Sequence, residues 1–577
     1  MRRLLPLLVV LCAALPAYSA PTACATWKKR QKTIDKQEAV FWDNYRGRLD
    51  AMYAEWRSQW SLWRGDRDAY KDEVEDLTVL RELYDEYAGI QDARAEIDLD
   101  LASSGVEEAR KILLDEVFDV VKAQGKLEKE LAEARPTLLY NYYDQQPAIR
   151  LHGLAARTRG LVAALAACPD AVTFLGGEAL AKAKRSDKKK SVARRAVVID
   201  ALGATQAEEA RAVLESLLAA PQPAIRILAV DNLVPFGKDA VEALRPLLED
   251  PSPVVRRALL EQMARDGVAV SAWIPLALAA YEQQKGLVRA RALEALVALT
   301  GLTAHGDDPA KWRAWFERHQ SGIANGTWKR PEPKPAAEGD KPEVEGEDEG
   351  GGVVPEALTT FYGVGAPSRR ILFVLDGTSD LKVPADLERQ QTKARRTWLE
   401  TVGQWKDLYV NHHAILIEEL AGTIGAMPES ARYAVIYLTG GNPERVPMFG
   451  ERKALAPSKS ANKKLLKEFS KPEPNGTMSA EEGLRRAFAL CGSETCSDPG
   501  PKDVCLDTVY LVHTGWVGGR WGVPEALVAD FARRNRFHRL QVHAIRICDR
   551  KAEAEDLMQG LALATGGTYL WLEQIPD

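Results

Sequence analysis

Apolar residues recur at alternating spacings of three and four through the first part of the chain. In FWDNYRGRLDAMYAEWRSQWSLW, residues 41–63, Trp42, Tyr45, Leu49, Met52 and Trp56 share one stripe, which Trp60 and Trp63 continue. That period predicts one face of a long helix. Aromatics that keep it are expected in a packed, coiled-coil-like helical hairpin rather than on a carbohydrate platform. SSGVEEARKILLDEVFDVV predicts a later helix, with Ser104 and Glu107 at capping-box spacing ahead of Leu113, Leu114, Val117 and Val121. Beyond about residue 357 the pattern changes. RRILFVLD, RYAVIYLTG, DTVYLVHTG, LQVHAIRIC and TYLWL are near-continuous apolar runs, separated by amphipathic stretches and a short RVPMF. Buried strands alternating with helices predict a mostly parallel sheet covered on both faces. In such sheets ligands bind beyond the strand C-termini, where strand order reverses.

Between these regions the chain repeats itself. SVARRAVVIDALG, PAIRILAVDNLVPFG, PVVRRALLEQMARDG and LVRARALEALVALTG align with Arg194, Arg226, Arg256 and Arg289 in register, at spacings of 32, 30 and 33 residues. Such periods mark stacked helix pairs, since one pair cannot bury its own apolar face. The block resembles HEAT repeats, with its arginines expected in packing and inter-repeat hydrogen bonds. Ser252-Pro253 and Asp308-Pro309 are N-cap and first-turn signals. Trp312, Trp315 and Phe316 in DDPAKWRAWFERH would close the stack.

The expected organisation is therefore multidomain. Residues 1–19 form a signal peptide, 20–185 a helical domain, 186–320 HEAT-like repeats, 321–356 an acidic linker and 357–577 a doubly wound, Rossmann-like α/β domain. The linker centres on KRPEPKPAAEGDKPEVEGEDEGGG, whose proline, glycine and acids leave little to bury, so it is read as a disordered tether. MRRLLPLLVVLCAALPAYSA has a positive start, an apolar run too short to span a membrane and small residues suited to cleavage after Ser19. A secreted or periplasmic location is expected, with no transmembrane segment; a lipid anchor at Cys24 would lie too far past the apolar run. The net charge of −5 argues against nucleic acid as principal partner. Six cysteines in the expected mature chain favour disulfides over metal ligation or catalysis.

Residues 357–577 resemble a von Willebrand factor type A domain. FYGVGAPSRRILFVLD looks like the approach to its first strand, NGTMSAEEGLRRAF like its threonine loop and DTVYLVHTG like its fourth strand. That family's metal-ion-dependent adhesion site uses Asp-x-Ser-x-Ser, a middle-loop threonine and an aspartate after the fourth strand. The resemblance implies Asp376, Thr378, Asp380, Thr477 and Thr514 as an altered site for Mg²⁺ or Mn²⁺. Asp380 stands where the second serine belongs, and Thr514 where the last aspartate belongs. The carboxylate count stays at two, but Asp380 ligating directly would hold a hard cation while weakening its pull on a partner's acid. The alternative is that these short polar groups only satisfy the backbone at a strand end. The same topology implies one disulfide among Cys491, Cys496 and Cys505. It sets Cys548 at the opposite rim, about 20 Å away; Cys24 and Cys168, which flank the helical region, are the expected second pair.

No G-x-S-x-G, H-E-x-x-H or phosphate-cradling glycine loop is present. Adjacent His412 and His413 point apart on a helix and would not share a metal. His513 beside Thr514 is the one opening to a hydrolase, without a recognisable nucleophile and base. The expectation is a non-enzymatic, exported protein-binding protein of adhesion type, with His513, Trp516, Arg520 and Trp521 facing a protein partner. The alternative is a structural scaffold that binds through its helical and HEAT-like region.

Overall fold

A computed structural model describes residues 20–63, 77–133, 145–181, 188–265, 271–330, 359–377, 412–438, 448–449, 455–457, 483–484, 487–488, 506–513, 523–547 and 554–572. The signal-peptide residues and most of the acidic linker lie outside them. The chain divides into two compact units, with residues up to Val213 in the first, apart from Arg57–Asp76 and Asn141–Tyr143, which group with Leu214–Asp577 in the second; the main seam falls within the repeat block rather than at either of its ends.

In the first unit, α1 (Ala20–Trp63) and α2 (Thr78–Ser103) form an antiparallel hairpin, joined by α3 (Glu107–Glu133) and α4 (Gln146–Ala167). The expected α1 stripe is present at Tyr45, Leu49 and Met52, and Phe41 rather than the half-buried Trp42 completes it. Trp42 instead lies beneath Arg150, whose guanidinium is 4.6 Å from the ring centroid. The capping box does not form. The Ser104 hydroxyl donates to the Leu101 carbonyl at 2.6 Å and so closes α2 instead of opening α3. At the centre of this unit Asp98, fully buried, accepts from Trp27 Nε1 at 2.9 Å, from Gln31 and from Arg157.

Helices α2 and α4 approach so closely that a Cβ on Gly160 would overlap the Ala95 methyl. Gly160→Ala is expected to destabilise the unit by about 1–3 kcal/mol despite alanine's better helix propensity. Ala95→Gly in the same chain should recover part of that loss, as read by denaturant unfolding.

Helices α5 (Ala171–Leu180) and α6 (Lys188–Ala204) complete the first unit, and α7 (Glu208–Leu217) straddles the seam. In the second unit the solenoid continues with α8 (Pro223–Leu233), α9 (Pro253–Met263), α10 (Ile274–Gln283), α11 (Gly286–Thr300) and α12 (Pro309–Ala324). Ser252 and Asp308 occupy the N-cap positions of α9 and α12. The Asp308 carboxylate accepts from the Ala310 and Lys311 amides at 2.9 and 3.3 Å. Trp312 and Trp315 pack edge to face at 6.2 Å, both buried, in the closing helix.

The C-terminal part of this unit opens on a hairpin of β1 (Thr359–Phe361) and β2 (Val364–Ala366). Its two-residue turn places Tyr362 and Gly363 at φ 50° and 79°, the left-handed pair that matches strand twist. A six-stranded sheet follows, built from β3 (Arg370–Asp376), β4 (Arg432–Leu438), β5 (Met448–Phe449), β6 (Thr508–His513), β7 (Gln541–Arg546) and β8 (Tyr569–Trp571). Its order is β5-β4-β3-β6-β7-β8, parallel throughout except for β5 at one edge. Successive strands thus add first on one side of β3 and then on the other, so order reverses between β3 and β6.

Alternation along these strands creates two cores. Phe373, Leu375, Tyr433, Tyr437, Tyr510 and Ile545 face α13 (His412–Ala426). Leu372, Val374, Ile436, Leu511 and Ala544 face α14 (Pro524–Asn535) and α15 (Ala554–Thr565). The apolar runs in the sequence are continuous because both faces are covered.

Candidate functional site

The polar residue that ends each central strand is set by register. Leu375 pairs with Val512, so Asp376 at the end of β3 lies beside His513 at the end of β6. His513 pairs with Arg546 on β7, Arg546 with Trp571 on β8, and Asp376 with Leu438 on β4. Since paired positions of parallel strands share a face, Leu438, Asp376, His513, Arg546 and Trp571 form one row across the C-terminal edge of the sheet. Asp376, His513 and Arg546 are buried.

Asp376 Oδ2 and His513 Nε2 are 3.8 Å apart across the switch point, an ion-pair distance too long for a hydrogen bond. The Arg546 guanidinium lies over the Trp571 indole at 4.3 Å. On the opposite face, burial pushes the Tyr437 hydroxyl up in pKa, and the Asp376 charge adds to that. Tyr437 also meets the buried His413 ring at 5.7 Å, and burial holds that imidazole below its ordinary pKa. A side chain at position 377 would strike the Tyr437 ring, and the Gly377 amide donates to the Leu438 carbonyl at 2.7 Å. Glycine there lets the chain leave β3 tightly against β4.

Of the residues singled out from sequence, the structure brings Asp376 and His513 together. Thr378, Asp380, Thr477, Thr514, Trp516, Arg520 and Trp521 lie outside the described residues, as do Cys491, Cys496, Cys505 and Cys548. The expected Cys24–Cys168 disulfide is not formed. Both thiols are free, and the buried Cys168 sulfur is directed back at the Ala164 carbonyl of its own helix, 3.5 Å away. Arg546 and Trp571 were missed in the sequence. Their signal was an arginine inside the otherwise strand-like QVHAIR and a tryptophan ending TYLW.

Of the five residues that the family resemblance implies for a divalent cation, the structure describes Asp376, while Thr378, Asp380, Thr477 and Thr514 lie outside the described residues. Magnesium takes oxygen ligands in near-octahedral geometry, and the described strand neighbours of Asp376 are Leu438 and His513. Among the described residues no group of three or more His, Cys, Asp or Glu could hold a metal ion.

The opposite, N-terminal rim of the sheet is occupied by the chain's own solenoid. Asp231 on α8 accepts from Arg536 and Arg539, each at 2.7 Å, and from Gln262 at 2.8 Å. Glu261 on α9 meets Arg539 at 3.0 Å and Arg291 at 3.3 Å. Arg257 donates to the His538 carbonyl at 3.0 Å and pairs with Asp507, just before β6, at 3.4 Å. Arg291 on α11 donates to the Thr565 carbonyl at 2.6 Å. Every α/β partner precedes a strand or ends a helix leading into one. The α/β domain is therefore clasped directly by the solenoid and not merely held through the expected tether. Burial opposes the Asp231 charge, but Arg539 and Arg536 outweigh it and hold the carboxyl below its ordinary range.

The aligned arginines play the expected packing role. Arg226 makes a two-pronged pair with Asp250 at 2.7 and 2.8 Å, Arg256 donates to the Asp250 carbonyl, and Arg289 grips Asp307 at 2.9 and 2.6 Å. Residues 177–264 match the family model for HEAT repeats. No curated protein matches the chain. Among the described residues no helix is long and apolar enough to cross a membrane.

Proposed function

We propose that residues 357–577 are a von Willebrand factor type A-like domain, and that the chain is an exported, non-enzymatic protein that binds a protein partner at the C-terminal mouth of this sheet. One observation carries the reading. The reversal of strand order sets buried polar side chains at the mouth, while the solenoid occupies the rim at the other end of the same strands. A partner thus has one end of the domain to approach. The antiparallel edge strand β5 and the Asp that ends β3 support the family assignment. Trp516, Arg520 and Trp521, between β6 and α14 in the sequence, are the proposed partner contacts.

A second reading, a scaffold that binds through the repeats, is favoured by the HEAT match alone, because such repeats commonly present protein-binding surfaces. The two separate in one experiment. With immobilised full-length chain and the extracytoplasmic fraction of its source, Trp516→Ala with Trp521→Ala is expected to weaken capture of a specific partner at least about tenfold, the equivalent of about 1.4 kcal/mol. Capture that survives this variant and is lost on Arg245→Glu with Arg318→Glu, both on exposed solenoid surface, would replace the first reading with the second.

A further inference from the structure

We propose that the clasp between the solenoid and the α/β domain is a pH-sensitive joint, which acid loosens by protonating His538 and His543. Both histidines lie where the solenoid's arginines take hold of the sheet's N-terminal rim. Arg291 on α11 donates to the Thr565 carbonyl at 2.6 Å, and a Cβ on the next residue, Gly566, would strike its Nη1. The same turn is tied to β7 twice. The Thr565 hydroxyl accepts from the Val542 amide at 3.0 Å, and the Thr568 amide donates to His543 Nδ1 at 3.2 Å. The neutral imidazole is therefore an acceptor in the turn that Arg291 grips. Arg257 on α9 donates to the His538 carbonyl at 3.0 Å, and the His538 ring lies 5.1 Å from that of Phe488.

A further proton finds no acceptor at His543. With Nδ1 accepting, Nε2 carries the hydrogen, and Nε2 is buried with no hydrogen-bond partner among the described residues. A second proton, on Nδ1, would face the Thr568 amide donor to donor. The residue is 2% exposed and stacks 5.2 Å from the Tyr510 ring, whose hydroxyl burial pushes up in pKa and keeps un-ionised. The charged group facing His543 is Arg291, whose own counter-charges, Glu294 and Glu261, lie at 2.6 and 3.3 Å. The charged group facing His538 is Arg257, which Asp507 meets at 3.4 Å; its chain neighbours Arg536 and Arg539 are taken by Asp231 and Glu261.

Burial, and after it the adjacent arginine, holds each imidazole down at about 4. An unfolded histidine titrates near 6.5, so between roughly 6.5 and 4 the released chain binds protons that the clasped one excludes. The stabilisation is thus full above the unfolded value and is lost as pH falls toward the folded one. Asp231 yields only below the ordinary carboxylate range, so the histidines and the carboxylate act in different windows.

The test is amide hydrogen exchange of the full-length chain across this pH range, read by mass spectrometry and corrected for the intrinsic exchange rate. Protection of the Val542, Ala544 and Gly567 amides, all bonded at this turn, is expected to fall at least about tenfold between about pH 7.5 and about pH 5. His538→Asn with His543→Asn should hold protection level over that range, because the asparagine oxygen still accepts from Thr568 and does not titrate. Protection that stays constant in the unaltered chain to about pH 5 and falls only below about pH 4, the window of Asp231, would overturn the proposal. An equal fall in the doubly substituted chain would overturn it too. If the double variant does not fold, the pH profile of the unaltered chain decides alone, by whether the fall lies in the histidine or the carboxylate window.

Discussion

Asp231→Ala is expected to lower the stability of the second unit by about 3–5 kcal/mol, the usual cost of leaving buried charges without their partner. The substitution strips the acceptor from Arg536 and Arg539 together and leaves Gln262 without its carboxylate. Arg539 keeps Glu261 at 3.0 Å, which sets the lower end of that range. The loss should appear as a lower denaturant midpoint for the unit, and an unchanged midpoint would refute the clasp. The pH dependence has a definite sign. Because the folded pKa of Asp231 is depressed below the unfolded value, its stabilisation is present above the ordinary carboxylate pKa near 4. It is lost as pH falls through the lower folded value. The clasp should therefore hold at neutral pH and weaken only under acid, and Asp231→Asn should flatten that part of the stability profile.

The second large effect is expected in the first unit. Asp98→Ala should cost about 3–5 kcal/mol there, because Arg157 is only 2% exposed and loses its most buried partner. The Trp27 and Gln31 donors lose their acceptor as well. Asp98→Asn should cost less than half as much. Burial, the larger influence, raises the Asp98 pKa despite the adjacent Arg157, so removing the charge also removes a desolvation penalty. The amide oxygen still accepts, and Arg157 retains Glu116 at 2.9 Å. Equal losses for the two variants would show that charge, rather than acceptor geometry, holds this core together.

These two clusters mark the boundary of what the sequence makes legible. The strands were readable because burial on both faces leaves almost no polar interruption, and ILFVLD ends its strand at the aspartate as expected. The repeats were readable because Arg194, Arg226, Arg256 and Arg289 keep a common period, and each makes a packing contact, with Glu178, Asp250, Asp250 and Asp307 respectively. The clasp was not readable. Arg257 lies one position from Arg256, and Arg291 two from Arg289, yet these neighbours project to partners about 250–280 residues away. Nothing in local periodicity separates a charge that closes a repeat from one that reaches another domain. The capping-box spacing at Ser104 misled for a related reason, since a hydroxyl between two helices can serve either, and here the preceding carbonyl at 2.6 Å is the nearer partner. At the mouth, Asp376 and His513 were identifiable singly. Their meeting depends on a register between strands separated by more than 130 residues, which no local pattern encodes.

The clasp also gives the molecule a mechanical axis. Tension applied at the mouth by a bound partner would run down the parallel strands and pass into the helical stack through guanidinium–carboxylate joints at their far ends. Pulled lengthwise, those joints would share the load instead of parting one after another. The acidic stretch between Arg330 and Thr359 need bear none of that force, so its length can change without slackening the grip.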